Sequence, residues 1–139
     1  MYSHAQADEW FAPLTPEAVG GRRVLELGCG NGSVLLHRMP WRPAYLEGVD
    51  LGDSVRSAIQ NMSRISSEGW AVKKADLTPY CAETPFDAVY SNGVIHHLEE
   101  PDLGFQTVMR NVKPGGRFHC CVYAHEGNAL MRWVVDAIR

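Results

Sequence analysis

Three glycines in a short segment are the first residues of the chain that suggest ligand binding. Gly28, Gly30 and Gly32 follow the apolar stretch 23–27, and a short helical pattern begins at Ser33. Glycine has no Cβ atom, so the chain can turn tightly and a ligand can approach the backbone closely. The amino end of the following helix supplies N–H groups and a partial positive charge. This segment predicts a site that favours a ligand with a carboxylate or a phosphate.

A carboxylate follows the second apolar stretch at a spacing that suits a nucleoside. Asp50 lies about 20 residues after Gly30, where a carboxylate can accept hydrogen bonds from both ribose hydroxyls. Dinucleotide-binding folds use the pattern G-x-G-x-x-G, whereas Ser33 stands at the position of the third glycine. The spacing therefore favours a nucleoside ligand. A nicotinamide oxidoreductase is a disfavoured alternative that NAD binding would support.

Two adjacent histidines supply groups that could accept a proton. His96 and His97 follow the fourth apolar stretch, and imidazole titrates near neutral pH. A general base is needed only if the reacting group must lose a proton. Adjacent residues do not normally face one site, so a second interpretation stays open. In it, either histidine caps the following segment or packs under a lid.

Strand and helix patterns alternate along the chain and would position these residues. Strands are predicted at 23–27, 44–50, 70–75, 86–90 and 118–123. Helices are predicted after Thr15, from Ser33 to Pro40, over 55–65 and after Pro101, and the tail 128–139 is amphipathic. Strands separated by helices indicate βαβ units, so we expect a doubly wound, Rossmann-like α/β fold with a mostly parallel sheet. Ligands bind at the carboxyl ends of the strands in such folds.

Two of the helical segments carry apolar side chains at helical spacing. The first stripe comprises Val55, Ala58, Ile59, Met62 and Ile65, and the second comprises Phe105, Val108, Met109 and Val112. We expect both stripes to face the sheet. The sequence Lys113-Pro114-Gly115-Gly116 is a strong breaker, so the fifth strand is expected to begin after it.

Length and composition bound the class of protein. A chain of 139 residues predicts one domain, 1–139, and its 45% hydrophobic and 21% charged residues are typical of globular proteins. The net charge of −3 argues against a nucleic-acid partner. No apolar stretch approaches the roughly 20 residues of a membrane span, and the first residues lack a signal-peptide pattern. We therefore expect no membrane partner and a cytoplasmic location. The four cysteines form no CxxC pair, which indicates buried apolar side chains and no metal site.

Five segments, in order, resemble the motifs of one enzyme family. They are 24–32 with the glycines, 48–51 with Asp50, 75–77 with Asp76, 86–97 with the two histidines, and 112–116. Together they resemble class I S-adenosylmethionine-dependent methyltransferases, and most of all the small-molecule, type 11-like enzymes with a His-His pair. The resemblance runs from residue 22 to residue 123. It implies the strand order 3-2-1-4-5 and S-adenosylmethionine as cofactor.

The resemblance also implies a role for each motif residue. The methionine end of the cofactor would lie against an acidic residue and the glycine loop, namely Glu26, Gly28, Cys29, Gly30, Asn31 and Gly32. Asp50 would bind the ribose hydroxyls, with Leu51 against the adenine. Asp76 would accept from the adenine amino group and Leu77 would pack on the ring, with a solvated carboxylate as the alternative for Asp76.

The last motif residues concern the reacting centre. Ser91 and Asn92 would line the pocket there, and His96 and His97 are the candidate catalytic residues. The Asn/Asp-Pro-Pro-aromatic motif of DNA amino-methyltransferases is replaced by Ser91-Asn92-Gly93-Val94, and the Pro-Cys of cytosine-C5 enzymes does not occur. We therefore expect in-line methyl transfer to a small molecule.

The alternative to an active enzyme is a module that binds the cofactor without turnover. The family continues with a sixth and a seventh strand, which have no counterpart before Arg139. That difference predicts a carboxyl-terminally truncated domain with an unpaired edge at the fifth strand. Folded proteins cover such edges, so we expect the tail, or a second copy in a homodimer, to cover this one.

Overall fold

One sheet of five parallel strands organises residues 14–122, the part of the chain that the computed structural model describes. The strands are β1 (Arg23–Leu27), β2 (Tyr45–Asp50), β3 (Trp70–Lys74), β4 (Phe86–Asn92) and β5 (Val112–Cys121). Their order is β3-β2-β1-β4-β5, which confirms the predicted doubly wound α/β fold. The central strand β1 pairs with β2 on one side and with β4 on the other. The loop after β1 therefore lies where the strand order reverses, the usual ligand-binding point of this fold.

Short helices connect the strands and cover both faces of the sheet. They are α1 (Pro16–Val19), α2 (Ser33–Arg38), α3 (Val55–Ser63) and α4 (Pro101–Asn111), with 3-10 turns at Met39–Trp41 and Ile95–His97. Thr15 caps α1 as predicted, because its Oγ1 accepts a hydrogen bond from Ala18 N at 3.3 Å. Within residues 14–122, no helix is long and apolar enough to cross a membrane.

The core lies on the two faces of the sheet, as expected for parallel strands that are covered by helices on both sides. One cluster includes Val24, Leu46 and Ala88, and the other includes Leu25, Val49 and Val89. Successive residues of each strand thus point to opposite clusters. This burial fixes the register of the central strands and, with it, the positions of the loops at their carboxyl ends.

The start of β5 differs from the prediction. The strand begins at Val112, and the breaker sequence lies inside it as an irregularity, because Phe86 pairs with Val112 while Ala88 pairs with Arg117. Gly115 has a φ of +74°, a value that glycine adopts without strain. The extra residues of β5 bulge out of the ladder and do not end it.

The apolar stripe of α4 only partly faces the core, contrary to the prediction. Phe105 and Met109 are 43% and 45% exposed, whereas Thr107 and Asn111 are buried. Hydrogen bonds of polar side chains set the rotation of α4. Thr107 Oγ1 and Asn111 Nδ2 donate hydrogen bonds of 2.7 and 3.0 Å to carbonyls of the β3–β4 connection. In α3, Val55, Ala58 and Met62 are buried, while Ile59 and, two residues after the helix ends, Ile65 are exposed. The predicted tail helix 128–139 and the last predicted residue of the fifth strand, Tyr123, lie outside the described residues.

Candidate functional site

The loop between β1 and α2 has a backbone that only glycine adopts easily. Gly28, Gly30 and Gly32 have φ values of +85°, +52° and +78°. A Cβ atom at Gly28 would lie 2.7 Å from Val94 Cγ1, so packing excludes a side chain there. A Cβ atom at Gly30 would meet nothing within 4 Å. Gly30 therefore leaves its backbone open to a ligand.

Asp50 holds this loop in place from the end of β2. Its Oδ2 accepts a hydrogen bond from Gly30 N and its Oδ1 accepts one from Gly52 N, both at 2.8 Å. The carbonyl of Val49 accepts two further bonds, from the N–H groups of Gly28 and Cys29. Each carboxylate oxygen has a second lone pair, so Asp50 can accept further hydrogen bonds from a ligand. The structure thus brings together the loop and the carboxylate that the sequence spacing linked.

Glu26 lies in the protein interior just before the loop. It is 2% exposed, and Tyr90 Oη donates a hydrogen bond to its Oε2 at 3.2 Å. Burial raises the pKa of Glu26 to about 8, against the opposing effects of the Tyr90 hydrogen bond and the positive charge of Arg38. In the absence of ligand the carboxyl group is therefore mostly protonated at pH 7. A cation placed beside it would favour the ionised form.

Tyr90 and Arg38 are residues of this site that the sequence analysis missed. Glu26 and Tyr90 are partners in the β1–β4 register, which places their side chains on the same face of the sheet. Arg38 is fully buried in α2, and its guanidinium lies 4.0 Å from the centroid of the Trp41 ring. The signal that could have found Tyr90 is its polar hydroxyl directly after the apolar residues Ala88 and Val89 of a strand that pairs with β1.

The end of β4 carries the residues predicted at the reacting centre. Ser91 is 1% exposed and donates a hydrogen bond to the Leu27 carbonyl at 2.9 Å, which ties β4 to the end of β1. Asn92, the last residue of β4, is partly exposed. The hydroxyl of Ser91 is thus already used as a donor within the fold.

The two histidines lie side by side in the 3-10 turn after β4. The ring centroids of His96 and His97 are 4.0 Å apart, with an angle of 47° between the rings. Burial and the neighbouring His97 lower the pKa of His96, so its ring is mostly neutral at pH 7. A neutral imidazole is the form that can accept a proton. The tight turn thus brings together two adjacent side chains that an extended chain would separate.

The remaining predicted residues follow β2 and β3 at the same edge of the sheet. Leu51 is 63% exposed beside Asp50. Asp76 is exposed, and its Oδ1 accepts a hydrogen bond from Thr78 N at 2.9 Å. Leu77 is 6% exposed and packs in the core cluster that includes Leu25, Val49 and Val89. The carboxyl edge of the sheet therefore carries an exposed apolar residue after β2 and an exposed carboxylate after β3.

Comparison with known proteins connects this geometry to a family. The family described as "Methyltransferase domain" matches residues 2–139. This chain belongs to the class I S-adenosylmethionine-dependent methyltransferases. A solved S-adenosylmethionine-dependent methyltransferase from Mesorhizobium loti is 29% identical, with a TM-score of 0.68 over 81% of this chain and 51% of that one.

Curated relatives of this methyltransferase domain are longer than the chain. It is 31% identical over 131 residues to a ubiquinone biosynthesis O-methyltransferase of Paracidovorax citrulli, covering 92% of this chain and 54% of the relative. It is 32% identical over 133 residues to a trans-aconitate 2-methyltransferase of Pseudomonas aeruginosa, covering 91% and 43%. A tRNA U34 carboxymethyltransferase of Idiomarina loihiensis is 28% identical over 104 residues, 71% of this chain and 32% of the relative. The chain thus spans about half or less of these relatives.

The residues of this methyltransferase domain fit the cofactor of its family. S-adenosylmethionine carries a ribose, an ammonium group and a sulfonium. Asp50 offers acceptor capacity for the ribose next to the open backbone of Gly30. Glu26 is a buried carboxyl group that a nearby cation would ionise. The site therefore offers hydrogen-bond acceptors for the ribose and a carboxyl group for the ammonium group of S-adenosylmethionine.

Cys29 contributes packing and backbone atoms to the loop. Its side chain is buried, and a Cβ atom at Gly48 would lie 2.9 Å from its Sγ. Burial and the charge of Glu26 raise the pKa of the Cys29 thiol, which keeps the thiol protonated. In residues 14–122, no three His, Cys, Asp or Glu side chains lie close enough together to hold a metal ion.

Proposed function

We propose that this chain provides the cofactor-binding core of a methyltransferase that acts on a small molecule. The observation that carries the proposal is the 2.8 Å hydrogen bond between Gly30 N and Asp50 Oδ2. It joins an open glycine backbone to a nucleoside-binding carboxylate at the carboxyl edge of the sheet. When bound, S-adenosylmethionine supplies a methyl group that is activated for displacement by its attachment to a sulfonium.

Each residue at the carboxyl edge has a proposed part in holding that cofactor. Glu26 faces the ammonium group, and the loop 28–32 borders the methionine end. Asp50 binds the ribose hydroxyls and Leu51, which is 63% exposed, covers the adenine. Asp76 accepts from the adenine amino group. The buried hydrogen bond of Ser91 holds the end of β4, and with it Asn92, beside the reacting centre.

Calorimetry with S-adenosylhomocysteine tests the cofactor site. We expect binding by the wild-type chain, weakened by about 1–3 kcal/mol in Asp50→Ala, or roughly 5- to 150-fold, because charged hydrogen bonds are lost. The matched control is Asp53→Ala, which removes the same charge three residues further along, from an exposed pair with Lys74. Equal affinity in the wild type and Asp50→Ala would contradict the role of Asp50, and no binding at millimolar ligand would contradict the cofactor site.

We propose that the histidine pair accepts a proton from those methyl-accepting substrates whose nucleophile carries one. The lowered pKa of His96 supports this role, because a neutral ring can accept a proton at pH 7. Replacing His96 or His97 by Asn should then lower kcat about 100-fold or more and remove the acidic limb of the kcat/KM profile. A uniform loss at every pH would instead indicate a packing role.

The relatives give the main support for a small molecule as the methyl acceptor. Relatives named for ubiquinone biosynthesis and for trans-aconitate act on small molecules, and one relative is named for tRNA. The net charge of −3 favours the small molecules. Transfer of a labelled methyl group to phenols, carboxylic acids and amines, with bulk tRNA as a separate arm, distinguishes these classes. Labelling of tRNA alone would overturn the small-molecule assignment.

A second candidate function is cofactor binding without turnover. The chain spans 54% of the ubiquinone biosynthesis O-methyltransferase and 43% of the trans-aconitate 2-methyltransferase, so their activities belong to longer proteins. Calorimetric binding combined with no methyl transfer to any acceptor would favour this candidate. We expect a cytoplasmic location for either function.

A further inference from the structure

Glu26 stands out among the carboxyl groups of residues 14–122, because it is both buried and ionisable near neutral pH. It is 2% exposed and lies two residues before Gly28, the first glycine of the loop. The other buried carboxylate of this part of the chain, Glu47, accepts hydrogen bonds from Tyr45 and Tyr80 and pairs with Lys73. These donors outweigh the effect of burial and lower the pKa of Glu47. Glu26 therefore changes its charge in a pH range where Glu47 does not.

The groups that face Glu26 come from four neighbouring segments. Tyr90 on β4 donates a hydrogen bond at 3.2 Å, and Arg38 on α2 contributes a buried positive charge. Asp50 at the end of β2 and Cys29 in the loop lie close enough to interact electrostatically with it. Burial and Asp50 favour the protonated carboxyl, whereas Tyr90 and Arg38 favour the carboxylate. Because the effect of burial is the largest of these, Glu26 stays mostly protonated at pH 7 unless a further positive charge binds beside it.

We propose that cofactor binding at this site releases a proton from Glu26, and that Tyr90 is a positioning residue that sets the pH range of this coupling. The inference rests on the proposed function, which places the ammonium group of the cofactor beside Glu26. An ammonium group favours the carboxylate, and by linkage the carboxylate favours the ammonium group. The proton leaves Glu26 for solvent, and the resulting ion pair replaces a neutral carboxyl group.

The pH dependence of binding follows from this linkage. At pH 7 the free protein has Glu26 mostly protonated, so each bound S-adenosylhomocysteine should release close to one proton. Affinity should rise about tenfold between pH 6 and pH 7 and level off above pH 8. A ligand that lacks the ammonium group, 5′-methylthioadenosine, should bind without releasing the proton.

Calorimetry in two buffers measures the proton release directly. The heats of S-adenosylhomocysteine binding in phosphate and in Tris at pH 7 should differ by the number of protons released, multiplied by the difference between the ionisation enthalpies of the two buffers. Glu26→Gln keeps the side-chain volume and should abolish this difference. Tyr90→Phe removes the hydrogen bond that favours the carboxylate, so the levelling of affinity should move to a higher pH.

The matched control for Tyr90→Phe is Tyr45→Phe. It removes an equivalent hydroxyl that donates to the other buried carboxylate, Glu47, at 2.9 Å. Tyr45 is the first residue of β2, at the opposite end of the sheet from the glycine loop, so this variant should leave the pH profile unchanged. A purely structural role of Tyr90 would lower affinity equally at all pH values without moving the profile, and would overturn its assignment.

The outcomes separate this inference from the proposed function. Binding of S-adenosylhomocysteine with equal heats in the two buffers would overturn proton release and leave the cofactor site standing. Proton release that persists in Glu26→Gln would assign the proton to another group and overturn the inference. Absence of binding would overturn both proposals.

Discussion

At the scale of single residues, the candidate site depends on backbone conformations that few residues adopt. Gly28 combines a φ of +85° with close contact to the Val94 side chain. The first property disfavours any side chain through backbone strain, and the second disfavours it through overlap. The two costs can be separated because another glycine of the chain, Gly69, has the first property without the second.

Substitution by alanine should therefore affect these two glycines differently. Gly69→Ala should lower the free energy of unfolding by about 1–2 kcal/mol, since φ is +80° and a Cβ atom there would meet nothing within 4 Å. Gly28→Ala should lose a further 1–3 kcal/mol, roughly, because Val94 must move. Urea unfolding of both variants measures the difference. Equal losses of unfolding free energy in the two variants would show that the Val94 side chain moves without an energetic cost.

At the scale of secondary-structure elements, α4 and β5 leave an apolar surface that the rest of residues 14–122 does not cover. Phe105 on α4 and Phe118 on β5 pack edge to face, with ring centroids 5.6 Å apart, yet they are 43% and 47% exposed. Met109, one helical turn after Phe105, and Val122, just after the end of β5, are also exposed, at 45% and 54%. β5 is also an edge strand in the described sheet. Such edges are normally covered in folded proteins.

We propose that the tail 128–139 or a second copy in a homodimer covers this edge. Hydrogen exchange should then show protection of the β5 amides that do not pair with β4. Sedimentation distinguishes the tail from a second copy. A monomer whose β5 amides are protected from exchange indicates the tail, and a concentration-dependent dimer indicates a second copy. In the dimer, Phe118→Glu should raise the dissociation constant. Rapid exchange of these amides in a monomer would contradict both forms of the proposal.

At the scale of the whole molecule, carboxyl groups in different surroundings give the free energy of unfolding two opposite pH dependences. Lys113 and the Arg23 N–H lower the pKa of Asp87, and hydrogen bonds lower the pKa of Glu47 in spite of its burial. Their contributions are present above the unfolded pKa and are lost as the pH falls below about 4. The pKa of Glu26 is raised to about 8, so its contribution is present at low pH and is lost as the pH rises towards 8.

The free energy of unfolding should therefore be highest near pH 5 and lower at both pH 3 and pH 8. Urea unfolding at the three pH values measures this profile. Glu26→Gln should flatten the decline between pH 5 and pH 8, because the glutamine does not titrate. Asp87→Asn should flatten the acidic side. A wild-type protein as stable at pH 8 as at pH 5 would contradict the raised pKa of Glu26.

The sequence predicted the parts of the site that depend on local properties. The alternation of apolar stretches identified all five strands, and the glycine spacing identified the loop whose positive φ values the structure shows. The spacing also placed the glycine loop and Asp50 in one site, because parallel strands bring their carboxyl ends to one edge, whereas the hydrogen bond between Gly30 and Asp50 became visible only in the structure. The roles of the individual residues towards the cofactor stay predictions that the variants above can test.

What required the tertiary structure were the contacts between distant segments. The sequence alone determined the strands, the glycine loop and the family, since periodicity, turn chemistry and motif order are written in neighbouring residues. Only the register of β1 against β4 placed Tyr90 beside Glu26, and only polar anchoring turned Phe105 of α4 away from the core. Strand register and helix rotation are set by the packing of many side chains at once, and no local stretch of sequence contains that information.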